Sequence, residues 1–368
     1  MKTGLYIHIP FCKQKCNYCD FASFAGRETL IDDYLNALAR EASCAPVKQT
    51  DTLYVGGGTP SLLSVFQLTA LIQLIETNFG PIASFRESTF EANPESLTAE
   101  KLQLLKQAGF NRLSMGLQSF NDRELRLLGR IHDADTFLRA YQTARKHGFD
   151  NMNVDLIAGL PGQSLASFLQ SLTRLMALKP EHVSVYGLQI EEGTPFFERG
   201  IVCDQLLMRR MLEQTRARLR AAGYHHYEIS NFALPGCEDK HNTHYWQDGE
   251  YLGLGSAAAS FLGGVRRQNT TVINEYIACL KEGKSPVSFC EQLTGKEREG
   301  EKLMLALRQL DGVELTSLQK ELFGKEISRH LQSGLLERDG KKVKLSSEGL
   351  FLANEVFCSF VAPFDEEK

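Results

Sequence analysis

Three cysteines, Cys12, Cys16 and Cys19, stand at CxxxCxxC spacing in HIPFCKQKCNYCDF, directly after the apolar run Leu5 to Ile9. Three thiolates on one short loop can each hold one iron of a [4Fe–4S] cube and leave the fourth iron open to a small molecule. An open iron implies chemistry rather than scaffolding. The competing reading is a structural zinc site, which closes with four ligands, often as two CxxC-like pairs. No second pair is present, the CxxxC spacing suits zinc poorly, and a histidine such as His8 would have to complete the set. The other six cysteines, Cys44, Cys203, Cys237, Cys279, Cys290 and Cys358, are scattered. They read as small apolar residues and not as a disulfide framework.

Further polar and glycine-rich groups recur at regular places. Gly56-Gly57-Gly58-Thr59-Pro60 offers bare backbone to which a ligand can come close. Glu91 lies in EANPE, Gln118 in GLQS and Asp155 in DLIAGLPG. Each alone is more simply a capped turn or a surface side chain. Their repetition at the ends of consecutive apolar runs favours one gathered site.

Those groups need a frame to bring them together. Runs suited to strands are Leu5 to Ile9, Thr52 to Val55, Glu87 to Glu91, Arg112 to Gly116, Asn153 to Ile157 and His182 to Gly187. Between them the period shifts to that of helices near Ile31 to Ala42, Leu62 to Thr77, Ala99 to Ala108, Asp135 to His147 and Leu165 to Ala177, with Gln205 to Ala222 closing the set. The alternation predicts an α/β chain, a partial (β/α)6 TIM-like barrel over residues 1–231, with active groups on the loops after the strands. Residues 232–294, rich in Gly, His, Asn and aromatics at their start, read as a connecting or functional segment. Residues 295–368 suggest a small α+β winged-helix-like accessory domain: helices over Glu297 to Leu310, Leu315 to Leu322 and Lys325 to Leu336, then a hairpin about Asp339 and Gly340.

Composition narrows the function classes. The chain has 368 residues, 43% of them hydrophobic, and a formal net charge of −4, which argues against a nucleic-acid carrier even for the winged-helix-like end. The cysteine motif arrives before a signal-peptide apolar region could be completed, and no stretch is long enough to span a bilayer. The expected compartment is the cytoplasm, where thiols stay reduced.

The cysteine loop with its aromatic before the third cysteine, GGGTP, and the ordered Glu, Gln and Asp together resemble the radical S-adenosylmethionine (SAM) superfamily. In that superfamily SAM chelates the open iron through its amine and carboxylate. The cofactor then carries the hard chemistry while the protein holds and shields it. Carried over by motif, the resemblance implies a SAM pocket of Tyr6, Gly57, Gly58, Thr59, Glu91, Gln118, Arg130 and Asp155. Arg130 would pair with the SAM carboxylate, and Glu91 and Asp155 would accept from the ammonium or the ribose. From its position alone, Arg130 is equally an exposed helix-end arginine beside His132.

The spacing of YIHIPFC, GGGTP, GLQS and DLIAGLPG is similar to the coproporphyrinogen III dehydrogenase branch, with two departures. The branch carries CxxxCxxCxC where this chain has Phe21, and it has an N-terminal extension over its substrate where this chain begins eleven residues before Cys12. A radical enzyme must exclude water, so the missing cover counts against porphyrinogen decarboxylation. HNxxYW at His241 to Trp246 adds an imidazole and flat aromatic rings, suited to haem iron and a porphyrin face. A histidine among aromatics is otherwise more often a core residue.

Together with CxxxCxxCDF, that motif resembles the HemW-type radical SAM haem chaperones. The resemblance implies a [4Fe–4S] cluster, SAM and one haem, with His241 as the first candidate for holding the haem and acceptor proteins as partners. His225 and His226 are further candidates, though core or surface roles are simpler. CxxCH is absent, so no covalent attachment is written in the chain. The alternative is an oxygen-independent coproporphyrinogen III oxidase or another radical SAM porphyrin enzyme. Peripheral membrane association and a homodimer stay open.

Overall fold

The computed structural model describes residues 3–364. Strands β1 (Thr3–Ile9), β2 (Thr50–Gly57), β3 (Glu87–Ala92), β4 (Arg112–Gln118), β5 (Met152–Ala158) and β6 (His182–Gly187) pair in parallel in chain order. A helix follows each: α1 (Ile31–Ser43), α2 (Val65–Phe79), α3 (Ala99–Ala108), α4 (Ala134–Lys146), α5 (Leu165–Leu178) and α6 (Gln205–Ala221). Side-chain caps start five of them. Ser64 forms a reciprocal capping box with Gln67 before α2, and Thr98, Asp133, Ser164 and Asp204 cap α3 to α6.

The strands alternate with period two between two different environments. Leu5, Ile7, Leu53, Val55, Phe90, Leu113, Met115, Val154 and Val183 join the apolar core beneath the helices. The intervening positions carry Tyr6, His8, Thr52, Tyr54, Glu87, Glu91, Arg112, Asn153, Asp155 and His182. One face of the sheet thus packs and the other gathers polar side chains for chemistry.

Residues 232–294 do more than connect. β7 (His225–His226) and β8 (Asn231–Ala233) extend the sheet antiparallel beyond β6, while β9 (Tyr251–Leu254) adds in parallel to β1 on the opposite side. Antiparallel strands β10 (Ala259–Leu262), β11 (Val265–Asn269) and β12 (Val287–Glu291) then complete a twelve-stranded sheet. A seventh parallel strand therefore stands in the segment that the sequence reads as connecting or functional. Between β8 and β9 lies the short helix α7 (Lys240–Trp246), which carries HNxxYW. Helix α8 (Ile273–Lys281) packs against α1.

The C-terminal residues build their own apolar cluster, centred on Leu303, Phe323, Ile327, Val343 and Phe360. It consists of α9 (Gly295–Ala306), α10 (Ser317–Gln332), a short helix over Ala353–Cys358, and a three-stranded antiparallel sheet of β13 (Val313–Glu314), β14 (Leu336–Asp339) and β15 (Lys342–Leu345). The two helices expected over Leu315 to Leu336 are one. Gly324 looks like a break, but Phe323 and Ile327 continue a single buried face across it. Among the described residues no helix is long and apolar enough to cross a membrane.

Candidate functional site

The cysteine loop leaves β1 at Pro10 and is closed by a short parallel pairing of Phe11 and Cys12 with Phe24 and Ala25. Its middle is pinned from below. Asn17 donates through its backbone N–H to the Leu128 carbonyl at 2.9 Å and through its amide to the Leu127 carbonyl at 2.8 Å, and Gln14 donates to the Gly129 carbonyl at 3.0 Å. Cys12 is buried, Cys16 and Cys19 partly so, and all three thiols are free. Burial pushes the Cys12 and Cys19 thiols above their ordinary pKa. The Thr59 hydroxyl donates to Cys12 Sγ at 3.5 Å, and Arg130 Nη1 lies 3.7 Å from Cys16 Sγ.

The glycines of GGGTP are required by what approaches them. A Cβ on Gly58 would lie 2.8 Å from the Phe11 carbonyl oxygen and 3.0 Å from Cys12 Sγ. At Gly57, where φ is +117°, it would lie 2.6 Å from the His8 ring. The cradle beside the thiols therefore exists only because side chains are missing there.

Gly57, Gly58, Thr59, Glu91, Gln118, Arg130 and Asp155 line one cavity with the three cysteines, about 140 Å³ in volume. Arg130 is turned inward, where Nη2 donates to Asn93 Oδ1 at 2.9 Å and to the Gly116 carbonyl at 2.7 Å. Gln118 sits at a bulge in left-handed backbone, φ +70°, a strained state for a side-chain-bearing residue. Glu91 accepts from the Tyr54 hydroxyl at 2.6 Å and the Gly57 N–H at 3.0 Å, and burial raises its carboxyl to about 7. Burial also raises Asp155, against the hydrogen bond it accepts from Asn153 at 2.7 Å.

Tyr6 is the member of the set that lies elsewhere. It faces the cavity of His241, and its hydroxyl donates to His8 Nδ1 at 2.8 Å, while His8 Nε2 donates to the Ala22 carbonyl at 2.8 Å. His8 is thus engaged at both nitrogens and does not line the cysteine cavity. Among the described residues no three His, Cys, Asp or Glu side chains converge as a site for a single metal ion.

Beyond Glu91 the space continues. A second cavity, about 390 Å³, is lined by Arg112, Asn153, His182 and Tyr186, and a third, about 590 Å³, by His241, Tyr245, Trp246, Tyr251 and Phe261. Glu91 lines all three. The third has the volume of a cofactor pocket and aromatic walls.

The position of His241 comes from a buried ionic clamp. Asp239 caps α7, accepting from the Asn242 N–H at 2.8 Å, and pairs with the fully buried Arg112 at 3.0 Å. Glu87 accepts from the backbone N–H of Lys240 at 2.9 Å and of His241 at 3.1 Å, and burial lifts its carboxyl to about 7. The imidazole is hydrogen-bonded at Nδ1 to the Thr52 hydroxyl, 2.8 Å, and at Nε2 to the Tyr245 hydroxyl, 2.6 Å. Burial drops its pKa to about 4, so the ring is neutral at physiological pH. Tyr245 lines the cavity and Thr52 does not, which makes Nε2 the nitrogen on the cavity side.

His225 and His226 lie outside that cavity. His225 faces Glu238 and Asp311 at 3.3 and 3.4 Å near the surface, and His226 stacks on Phe232 with ring centroids 4.0 Å apart. Glu87, Asn93, Arg112, Asp239 and Thr52 are the working residues that pattern reasoning passes over. Only Glu87 and Arg112 leave a trace, each as a charge that opens a strand.

Comparison with known proteins adds to this geometry. Residues 6–175 match the radical SAM superfamily. The chain is 37% identical to the heme chaperone HemW of Bacillus subtilis (strain 168), over 98% of this chain and 99% of that protein. It is 42% identical to the heme chaperone HemW of Escherichia coli (strain K12) over 69% of each. Among solved structures, coproporphyrinogen III oxidase from Escherichia coli, a radical SAM enzyme, aligns with a TM-score of 0.85 at 27% identity, covering 98% of this chain and 90% of that one.

Proposed function

The chain belongs to the HemW family of radical SAM proteins, and from that premise we propose that it is a cytoplasmic haem chaperone that binds a [4Fe–4S] cluster, SAM and haem and hands the haem to acceptor proteins. The observation that carries the reading is His241: a buried, neutral imidazole on a 590 Å³ aromatic-walled cavity that meets the cysteine cavity at Glu91.

The residues present fit the cluster. Cys12, Cys16 and Cys19 would hold it, since they line one cavity, and the bare backbone of Gly58 lets Cys12 and the Phe11 carbonyl come close. When bound, the cluster and SAM supply reductive cleavage of a carbon–sulfur bond. Arg130 offers a guanidinium to the SAM carboxylate, Glu91 and Asp155 offer acceptors, and Asn93 holds Arg130 in place.

For haem, Thr52 fixes one nitrogen of His241 and leaves Nε2 to the ligand once the Tyr245 hydroxyl turns aside. Tyr245, Trp246, Tyr251 and Phe261 supply apolar surface to a porphyrin. His241→Ala should abolish haem retention on a desalting column, while Tyr245→Phe, which frees Nε2 and keeps the ring, should bind haem at least as well as wild type. Equal retention by His241→Ala would refute the assignment.

A second reading, an oxygen-independent coproporphyrinogen III oxidase, is favoured by the structural likeness to that enzyme. It predicts chemical change of the tetrapyrrole. Phe21, in place of the motif's further cysteine, is exposed and lines the cysteine cavity, which supports the chaperone reading instead.

A further inference from the structure

The cavity of His241 is not closed by the sheet alone. Its remaining wall comes from α9 of the C-terminal module, through Glu301, Met304 and Leu305. At that seam the carboxylate of Glu301 lies between two guanidiniums. It pairs closely with Arg266 of β11 on one side and with Arg298 Nη1, at 3.0 Å, on the other. Arg298 is anchored independently by both oxygens of Asp248, at 2.5 and 2.6 Å, and lies over the Phe261 ring at 4.5 Å. Arg266 has weaker second contacts, a hydrogen bond to the Tyr251 hydroxyl and Glu291 at 3.6 Å. Arg266 and Glu301 both line the cavity, whose exposed surface is otherwise chiefly aromatic and aliphatic.

A carboxylate held between two arginines inside an apolar pocket occupies the place where a ligand's own carboxylate would bind. We propose that Arg266 is the carboxylate-binding subsite of this cavity, that Glu301 is its resident occupant, and that a ligand carboxylate displaces Glu301 and so loosens α9 and the C-terminal module from the sheet. The inference rests on the haem reading, because haem carries two propionates on one edge. The incoming carboxylate adds one negative charge to a seam that already holds Arg266, Arg298, Glu301 and Asp248. Arg266 trades one carboxylate for another, and Glu301 keeps Arg298. The C-terminal module thereby becomes the part of the molecule that senses whether the cavity is filled, and the surface it releases is available to an acceptor protein.

The test compares haem with haem dimethyl ester, whose propionates are capped, on the cluster-loaded full chain under anaerobic conditions. Wild type should bind haem severalfold more tightly than the ester, the bidentate pair gained being partly offset by the Arg266–Glu301 pair given up. Arg266→Gln should erase the preference. Glu301→Gln, which removes the competing charge with little change of shape, should tighten haem severalfold and leave the ester unchanged. Limited proteolysis supplies a second readout. Haem should speed cleavage near residues 292–294, between β12 and α9, and the ester should not. Equal affinities of wild type for haem and ester, or a Glu301→Gln chain that binds both as wild type does, would overturn the subsite while leaving the haem reading intact. Failure of wild type to bind either would overturn both.

Discussion

The buried neutral imidazole of His241 makes a quantitative prediction about stability. Its pKa falls from the ordinary 6.5 to about 4 because burial disfavours the charged ring. Between those values the unfolded chain binds a proton that the native chain refuses, so stability falls as pH drops through that window. Going from about pH 7 to about pH 5 should cost roughly 2 kcal/mol through this one group. Other buried groups titrate as well. Glu87 and Glu91, raised to about 7, act in the opposite sense, losing stability as pH rises from 4.5 towards 7. Those contributions are common to wild type and to His241→Asn, and they cancel in the comparison. So do the hydrogen bonds to Thr52 and Tyr245, whose loss shifts both pH points alike. The single tryptophan, Trp246, lies on the same helix α7 and reports its unfolding. Urea denaturation followed by its fluorescence should therefore show wild type losing roughly 2 kcal/mol more than His241→Asn between the two pH values. Equal losses would mean that the ring protonates normally in the native state, and the case for a buried ligating imidazole would fall.

Other consequences follow from the clamp and the cradle. Arg112→Met strands Asp239 and Glu87 without their cation and should destabilise the chain by about 3–5 kcal/mol in thermal denaturation, with Asp239→Asn in the same background recovering part of it. Gly58→Ala places a methyl 2.8 Å from the Phe11 carbonyl and 3.0 Å from Cys12 Sγ, so reconstituted iron per chain should fall sharply while Trp246 fluorescence stays native. Tyr54→Phe removes the 2.6 Å hydrogen bond that holds the Glu91 pKa down, so the pH midpoint of SAM binding, measured by equilibrium dialysis, should move upward from about 7; an unchanged midpoint would remove Glu91 from the SAM site.

The six strands and their helices were legible because each strand pairs an apolar face with polar alternates, and five of the six helices begin at a side-chain cap. Local pattern carried that far and no further. β9, YLGL, is four residues long with a glycine in it, and its partner β1 lies at the other end of the chain, so no local signal identifies it as a barrel strand. The fused helix α10 escaped because Gly324 is punctuation in a pattern but costs only about 1 kcal/mol inside a well-buried helix. Seven of the eight residues assigned to the SAM pocket do share a cavity with the cysteines, because strand ends in a parallel sheet bring them together. Tyr6 does not, since it stands three residues before the end of β1 and faces His241 instead. Glu87, Arg112 and Asp239 come from three distant segments, and only folding reveals that they clamp one helix. Glu301 and Arg266 likewise meet only where the C-terminal module closes on the sheet.

A chain that carries haem and does not transform a porphyrinogen can be told directly from an oxidase. Anaerobic, cluster-reconstituted protein with SAM and reductant should be given coproporphyrinogen III in one arm and haem in the other, with tetrapyrroles separated by chromatography and protein-bound absorbance recorded. A haem carrier leaves coproporphyrinogen III unchanged, and haem is retained by wild type but lost from His241→Ala. A decarboxylated porphyrinogen formed together with 5′-deoxyadenosine would contradict the haem-carrier reading.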